Sequence, residues 1–510
     1  MTSNVLNLFI MENEIFVLNP DYIIKDDIKR FCLYNKLYIN SYSSRTKTFI
    51  HPVHALIFSF FTSRRSLKQN IALISNVLGR TEENVKKIIY PFIENVKEIK
   101  LTLEGQNIRI PRNILINISK LKVEYTPSEF SVNLNRCYEE VDFKTKRISE
   151  APRLITFMLT NRCVTNCCYC YADTKTKVSK EVPTERIINI IKEAKELNLY
   201  NIFLIGGEVF LHKEWDVILK TIVDNGFMPG NISTKVPITN QIMEKLKNTG
   251  FSNEIQLSID SVDADILKRT IGTNDNYIGQ VKKGISILEN NSFNYKIETV
   301  LTRLTATKQN LKDLYNYLST LRNISSWEIR AAMPSHYVNT DDYLDIKSER
   351  SNILELFQFI EGEIRSDASF QVFNALEQVN KEYFQSKEGS ASFKGARCTA
   401  LNEHMFILPD GKVTICEQLY WNPNFIIGDI NTMGIQEIWN SSRALQLVNM
   451  KKQDLQSDSN CKPCKLFDVC YNVDRNRCWS DVVKAYGKDK WDFPDPRCKF
   501  APSMKTSIVY

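Results

Sequence analysis

Residues 154–170 read Leu154-Ile-Thr-Phe-Met-Leu-Thr-Asn-Arg-Cys163-Val-Thr-Asn-Cys167-Cys168-Tyr169-Cys170, an apolar run leading straight into four cysteines. Leu154–Thr160 has the length and composition of a buried strand. The spacing Cys163-x3-Cys167-x2-Cys170 lets three thiolates ligate three irons of a cubane and leaves the fourth iron open, whereas closed clusters take four thiolates. An open iron can chelate a substrate through an amine and a carboxylate. Cys168 falls outside this spacing and reads as a packed free cysteine. A structural zinc site draws four protein ligands, commonly from paired C-x2-C knuckles, and no second pair lies nearby.

Strand and helix signals alternate onward from this stretch. Thr184–Leu197 carries Ile187, Ile188, Ile191, Ala194 and Leu197 on one helical face. Ile202–Ile205 is a short strand, followed by a helix with Trp215, Ile218, Leu219 and Ile222 at helical spacing. The strand Ile255–Ile259 precedes a helix with Ile278, Val281, Ile285 and Leu288. Tyr295–Leu301 and Trp327–Ala331 are two more strands, separated by a helix around Leu311–Leu321. Such alternation implies parallel β/α units. About six fit between residues 151 and 340, which predicts an α/β fold class with an open or partial TIM-like (β/α)6 barrel.

Chemistry in such a barrel sits at the C-terminal ends of the strands, where the cysteine loop lies. Two further motifs occupy equivalent places. Gly206-Gly207-Glu208 follows the strand ending at Ile205; its glycines allow close backbone approach and its carboxylate can accept hydrogen bonds from an ammonium group. Ser258-Ile-Asp260-Ser261 ends a later strand and offers polar groups suited to a ribose.

The composition bounds the rest. At 510 residues the chain is long enough for about three domains. Hydrophobic residues at 43% and charged residues at 25% are the mix of a soluble globular protein. No apolar run approaches the ~20 residues that span a bilayer. The N-terminus lacks a basic region followed by a long apolar stretch, so no secretory signal is read there and a cytoplasmic location is expected. The net charge of +7 is spread along the chain, which gives no case for a nucleic-acid or membrane partner. The thirteen cysteines are uneven: Cys32 and Cys137 stand alone, four lie within 163–170, and seven lie between 398 and 498. In a reducing compartment such clustering points to metal or catalysis rather than disulfides.

The cysteine motif with Tyr169 before its last cysteine, followed by Gly206-Gly207-Glu208 and Ser258-Ile-Asp260, resembles the radical S-adenosylmethionine (SAM) superfamily. The resemblance implies that Cys163, Cys167 and Cys170 hold a [4Fe-4S] cluster whose open iron binds SAM, and that SAM cleavage yields a 5′-deoxyadenosyl radical. It also implies that Gly206, Gly207 and Glu208 hold the methionine end of SAM, that Ser258 and Asp260 approach its ribose, and that Tyr169 lies beside the adenine. The family's GGEP reads GGEV here, with Val209 in place of proline.

Toward the C-terminus, Cys398 precedes a strand–turn–strand over His404–Cys416, built on Pro409-Asp410-Gly411. Cys461-x2-Cys464-x5-Cys470, Cys478 and Cys498 follow. This order resembles the SPASM domain of peptide-modifying radical SAM enzymes, with seven residues between Cys470 and Cys478 where the family usually has three. The resemblance implies two auxiliary [4Fe-4S] clusters, so three clusters in all. Cys461, Cys464, Cys470 and Cys498 would close the second auxiliary cluster. Cys398, Cys416 and Cys478 would hold the first, with an open iron or a non-cysteine ligand such as His404 or Asp410. Zinc ribbons are the alternative for these cysteines.

Residues 1–125 fit neither region. Strands at Glu14–Asn19 and Tyr38–Tyr42, helices at His54–Thr62, Ser66–Val77 and Glu83–Asn95, and a hairpin over Leu101–Ile110 are expected. This order resembles the RiPP recognition element, a winged helix-turn-helix domain of enzymes that modify ribosomally made peptides, in which a leader peptide adds as a strand to a sheet edge. A winged helix used for DNA or for packing is the alternative. His51 and His54 bracket Pro52 and read as a capping turn. The expected organisation is the leader-binding domain over 1–125, a linker over 126–150, the barrel over 151–340, connecting helices over 341–394, the SPASM domain over 395–500 and a tail over 501–510.

The implied function is a peptide maturase. It would bind the leader of a ribosomal precursor peptide, draw electrons from a flavodoxin or ferredoxin-type donor, and cross-link the core, with a cysteine-to-carbon thioether as the leading product. Carbon–carbon cross-linking and epimerising enzymes share these motifs. So do SPASM enzymes that modify whole proteins, such as anaerobic sulfatase-maturating enzymes. A non-catalytic zinc or DNA-binding protein is the alternative outside catalysis.

Overall fold

The computed structural model describes residues 11–35, 47–103, 106–121, 124–125, 130–337, 340–376, 398–474 and 477–508. The chain divides into two compact units, Met1–Glu150 and Ala151–Tyr510.

In the first unit, β1 (Phe16–Leu18) is followed by β2 (Tyr22–Asp27), β3 (Arg30–Asn35) and β4 (Lys47–Ile50). Three helices come next, α1 (Pro52–Ser59), α2 (Leu67–Leu78) and α3 (Glu82–Ile89), then β5 (Ile99–Leu103), β6 (Gln106–Ile110) and β7 (Leu115–Asn117). Strands β2, β3 and β4 form an antiparallel sheet, β5 and β6 a hairpin, and β1 pairs with β7. Caps set the helix starts: His51 Nδ1 accepts from Val53 N, as the capping-turn reading expects, and Ser66 with Gln69 makes a reciprocal capping box. Helix α3 is shorter than its periodicity predicts, because Pro91 follows and the chain tightens into a single 3-10 turn over Tyr90–Phe92. The sequence missed β2, β3 and β4, so the unit is richer in antiparallel sheet than expected; the strand expected at Tyr38–Tyr42 lies outside the described residues. The segment read as a linker is held onto this unit. The fully buried Arg30 donates to the carbonyls of Asp142 and Arg147, at 2.7 and 2.8 Å, while pairing with Asp27.

The second unit repeats strand and helix: β8 (Leu154–Met158), α4 (Thr184–Glu196), β9 (Asn201–Ile205), α5 (Trp215–Asp224), β10 (Asn231–Thr234), α6 (Asn240–Asn248) and β11 (Glu254–Ser258). It continues with α7 (Ala264–Ile271), α8 (Tyr277–Asn290), β12 (Tyr295–Leu301), α9 (Lys308–Leu318) and β13 (Ile324–Ala331). Six parallel strands therefore lie in the region read as six β/α units. One of them, β10, has the sequence Asn-Ile-Ser-Thr, too short and polar to announce itself. The stretch expected to hold connecting helices does hold α10 (Thr340–Ile346) and α11 (Arg350–Phe359), and it also adds a seventh parallel strand, β14 (Gln371–Asn374), on β13.

Strands β10 through β14 form one parallel sheet, and β8 pairs with β9 in another. At the seam between them Asn201 acts as a clasp, donating through Nδ2 to Met228 O at 2.7 Å and accepting from Met228 N at 3.1 Å. The outer edge of β8 is taken by β15 (His404–Ile407), which runs parallel to it; β16 (Lys412–Thr414) and β17 (Ile426–Asp429) continue antiparallel. Gly411, at φ 94°, makes the tight turn of the β15–β16 hairpin. The cysteine-rich region thus extends the sheet that carries the cysteine loop.

Burial along β12 alternates residue by residue, whereas strands of a filled barrel are buried on both faces. The helix-facing residues are core; the others line a polar lumen, where Arg330 pairs with Glu298 at 2.9 Å and Glu328 at 2.5 Å. Further helices among the described residues include α12 (Ile435–Trp439), α13 (Ser442–Val448) and α14 (Trp479–Tyr486). The segment read as a tail packs Ile508 onto α14 beside Val482 and Ala485. Among the described residues no helix is long and apolar enough to cross a membrane.

Candidate active site

The cysteine loop leaves β8 and is pinned at its cysteines. Asn166 N donates to Ile271 O at 2.9 Å and Cys168 N to Thr270 O at 3.0 Å, which ties the loop to the end of α7. Thr165 Oγ1 stands 3.3 Å from Cys163 Sγ and 3.3 Å from Cys167 Sγ, so one hydroxyl bridges two of the three sulfurs. Cys163, Cys167 and Cys170 line one cavity, together with Cys168. Burial pushes these thiols up, that of Cys170 to about 12. Among the described residues no three His, Cys, Asp or Glu side chains gather round one point as ligands of a single ion. The thiolates of a cubane each face a different iron and so need not gather.

Gly206 and Gly207 press against the strand-to-loop transition. Gly207 N donates to Thr160 O at 2.7 Å, and a Cβ on Gly207 would stand 2.2 Å from Arg162 O. Only glycine fits, because backbone meets backbone there. The turn that carries Glu208 is thereby fixed relative to Cys163, whose sulfur lies 3.8 Å from Glu208 Oε1. Glu208 is buried and also accepts from Thr234 Oγ1 at 2.6 Å and Lys235 N at 2.9 Å. Burial raises its carboxyl, while these donors pull it back down.

Asp260 is fully buried and is the hub of the site. Its Oδ1 accepts from Val300 N at 2.9 Å; its Oδ2 accepts from Lys235 Nζ at 3.2 Å and from the Tyr169 hydroxyl. Burial, then the Asp260 charge, hold the Tyr169 phenol protonated. Burial works against the charge on Lys235, yet Asp260 and Cys167 hold it above the ordinary lysine value. Lys235 also donates to Ser258 O at 3.3 Å, so its ammonium joins Ser258, Asp260 and the Tyr169 ring while its backbone N–H holds Glu208. Lys235 and Thr234 escaped the sequence reading because they belong to the unannounced β10 and its exit. Their signal was position alone, at the end of a parallel strand.

The C-terminal cysteines influence one another electrostatically. The charge on Cys398 bears on Cys416 and on Cys478, although burial is the largest influence on each. Cys461, Cys464 and Cys498 all bear on Cys470, again behind burial. Cys398 also lines one cavity with Cys461, Cys464, Cys470 and Cys498, so the cavity does not separate the two ligand sets that the SPASM resemblance implies. His404 lies in β15, fully buried, with Nε2 2.8 Å from Thr156 Oγ1, and Asp410 accepts from Trp421 Nε1 at 2.9 Å. Both side chains proposed as alternative ligands therefore already have partners. A buried ion cluster that the sequence did not reveal surrounds Cys478: Arg497 binds Asp495 through two contacts of 3.0 Å and also Asp481, while Cys478 N donates to Asp495 at 2.8 Å.

Residues 157–319 match the model of the radical SAM superfamily, and residues 398–465 match the SPASM model, described as an iron–sulfur cluster-binding domain. The chain thus carries a radical SAM domain followed by a SPASM domain. Among curated relatives it is 23% identical to the PqqA peptide cyclase of Granulibacter bethesdensis, over 69% of this chain and 89% of that protein. It is 22% identical to the AdoMet-dependent heme synthase of Methanosarcina barkeri, over 70% of this chain and 99% of that protein. Among solved structures, Streptococcus suis SuiB bound to its precursor peptide SuiA superposes with a TM-score of 0.60 at 13% identity, covering 95% of this chain and 100% of that one.

Proposed function

We propose that this protein is a peptide maturase that binds the leader of a ribosomal precursor peptide and cross-links its core, with a cysteine-to-carbon thioether as the product. The observation that carries the reading is one of organisation. A separate unit of 150 residues, with its own antiparallel sheets and with α1, α2 and α3 among its described residues, precedes a radical SAM–SPASM body. The fold likeness to a protein captured with its precursor peptide spans nearly the whole chain, that unit included. The three helices followed by the β5–β6 hairpin support a winged-helix reading of the unit, and the outer edges of its short sheets offer places where a strand could add.

Cys163, Cys167 and Cys170 would hold the cluster that binds SAM. Glu208 is placed to take an ammonium group beside Cys163, with Ser258 near the ribose. When bound, SAM and its cluster supply a radical that abstracts hydrogen from the substrate. The chain's own part is positional: Gly207 lets the Glu208 turn touch the cysteine loop, and Lys235 with Asp260 fixes Tyr169. The lumen pair Arg330–Glu298 offers polar contacts to a peptide backbone or side chain. Cys398, Cys416 and Cys478, then Cys461, Cys464, Cys470 and Cys498, would hold the auxiliary clusters, with a flavodoxin or ferredoxin-type protein as the reductant.

The test is incubation of reduced enzyme and SAM with a leader-bearing precursor that carries core cysteines. The reading expects 5′-deoxyadenosine, a product lighter by two hydrogens per cross-link, and a cysteine no longer open to alkylation. The same mass loss with all thiols still alkylated would replace the thioether by a carbon–carbon bond. A precursor left unchanged while a tetrapyrrole is consumed would replace the peptide reading altogether.

A further inference from the structure

The seven-residue spacer between Cys470 and Cys478 is the one departure of the SPASM region from its family pattern, and it contains Arg477. This side chain is 9% exposed. Its guanidinium carbon lies over two mutually perpendicular rings, 4.8 Å from the centre of Tyr471 and 5.3 Å from that of Trp479, so the cation meets two aromatic side chains. Nη2 donates to Cys461 Sγ at 3.2 Å. Nη1 is buried and has no hydrogen-bond partner among the described residues. Arg477 lines the same cavity as Cys461, Cys464, Cys470 and Cys498, with Cys398 also on its wall.

A buried cation with an orphaned donor is costly unless an anion faces it. Asp495, a carboxylate whose charge bears on Arg477, is already bound by Arg497, whose Nη1 donates to both of its oxygens. Four thiolates round an iron–sulfur cubane make an anionic group whose sulfurs accept hydrogen bonds. The donor set of the cavity therefore fits such a cluster, and the free Nη1 is the group that a cluster sulfur would satisfy. Hydrogen bonds to the sulfurs and nearby charge are what set a cluster's potential.

We propose that Arg477 is a positioning residue of the second auxiliary cluster, which binds the cluster's sulfur edge and stabilises its reduced state, so that this cluster has a raised reduction potential and suits the role of electron acceptor. The proposal rests on the reading that Cys461, Cys464, Cys470 and Cys498 hold a cluster. Reduction adds negative charge beside a fixed cation, so the reduced form gains more from Arg477 than the oxidised form does. Lysine, as a point charge on a flexible stem, keeps the charge but not the planar fork between Tyr471 and Trp479.

The experiment is a potentiometric EPR titration, with iron counted, on anaerobically reconstituted full-length wild type, Arg477→Met and Arg477→Lys. The expected result is full iron in all three, with one cluster's midpoint moved to more negative potential in Arg477→Met, less so in Arg477→Lys, and the other clusters unmoved. Full iron with every midpoint unchanged in Arg477→Met overturns the proposal. Should Arg477→Met lose that cluster's iron, Arg477→Lys decides: full iron with no shift overturns it, and a negative shift upholds it. Wild type carrying no iron on these four cysteines would instead remove the cluster reading beneath it.

Discussion

Gly207→Ala is the substitution whose effect follows most directly from the geometry. The added methyl would lie 2.2 Å from Arg162 O, 2.6 Å from Arg162 C and 2.7 Å from Asn161 O, all of them backbone atoms that cannot rotate away. Carbon–oxygen contact distances are well above 3 Å, so the Glu208 turn and the cysteine loop must separate by roughly 1 Å. Overpacking of this kind costs about 1–3 kcal/mol. The larger effect is on chemistry, because a ~1 Å misplacement of positioning groups can lower a rate by about 10²-fold. Gly206→Ala, whose methyl would meet Thr160 O at 2.8 Å, is the milder control. The assay is dithionite-driven conversion of SAM to 5′-deoxyadenosine, with iron content measured beside it. Gly207→Ala with full iron should show a rate lower by roughly two orders of magnitude, and Gly206→Ala a smaller loss. Wild-type cleavage by Gly207→Ala would refute the view that this backbone contact positions the site.

Other perturbations bear on separate parts of the account. Lys235→Met leaves Asp260 buried with only Tyr169 and Val300 to face it, which should destabilise the second unit by ~3–5 kcal/mol in urea unfolding; Asp260→Asn added to it should restore part of that, and an unchanged midpoint in the single variant would show the pair to be idle. His404 is buried and its pKa is depressed by burial to about 3, so its contribution is complete above the unfolded value near 6.5 and is lost as the pH falls from there toward 3. His404→Leu should therefore lose less stability than wild type between pH 7.5 and 5, and parallel curves would contradict this. A precursor stripped of its leader should be modified far more slowly while unproductive SAM cleavage persists; equal turnover would remove the leader-binding role from the first unit.

The parts of the fold that could be read from sequence are those written in local patterns. Leu154–Thr160, Tyr295–Leu301 and the helices at Thr184 and Trp215 carry long apolar periodicities, and each appears within a few residues of its expected bounds. Strand β10 has only Ile232 as an apolar residue, so Lys235, which sits at its exit and organises Tyr169 and Asp260, was missed with it. The β2–β3 hairpin was hidden because its turn uses Ile28 at φ 41° and Lys29 in place of the usual glycine or asparagine. Pairing at long range is beyond local pattern: nothing in His404–Ile407 says that it lies parallel to Leu154–Phe157. In the site, the sequence could name Asp260 but not its surroundings, and its carboxylate proves to be an internal anchor with no exposure. Arg477 could have been noticed, since an arginine in an inserted segment between two ligand cysteines is an unusual place for a charge.

The central claim is that ten cysteines hold three iron–sulfur clusters, one of which cleaves SAM. The most direct measurement is iron and sulfide content with EPR on anaerobically reconstituted protein, with and without SAM, beside a variant with Cys163, Cys167 and Cys170 all changed to alanine. The account predicts about twelve irons in the wild type, one cluster signal that shifts on adding SAM, and about eight irons with no such shift in the variant. Zinc in place of iron, or an unchanged iron count after removal of those three cysteines, would contradict it.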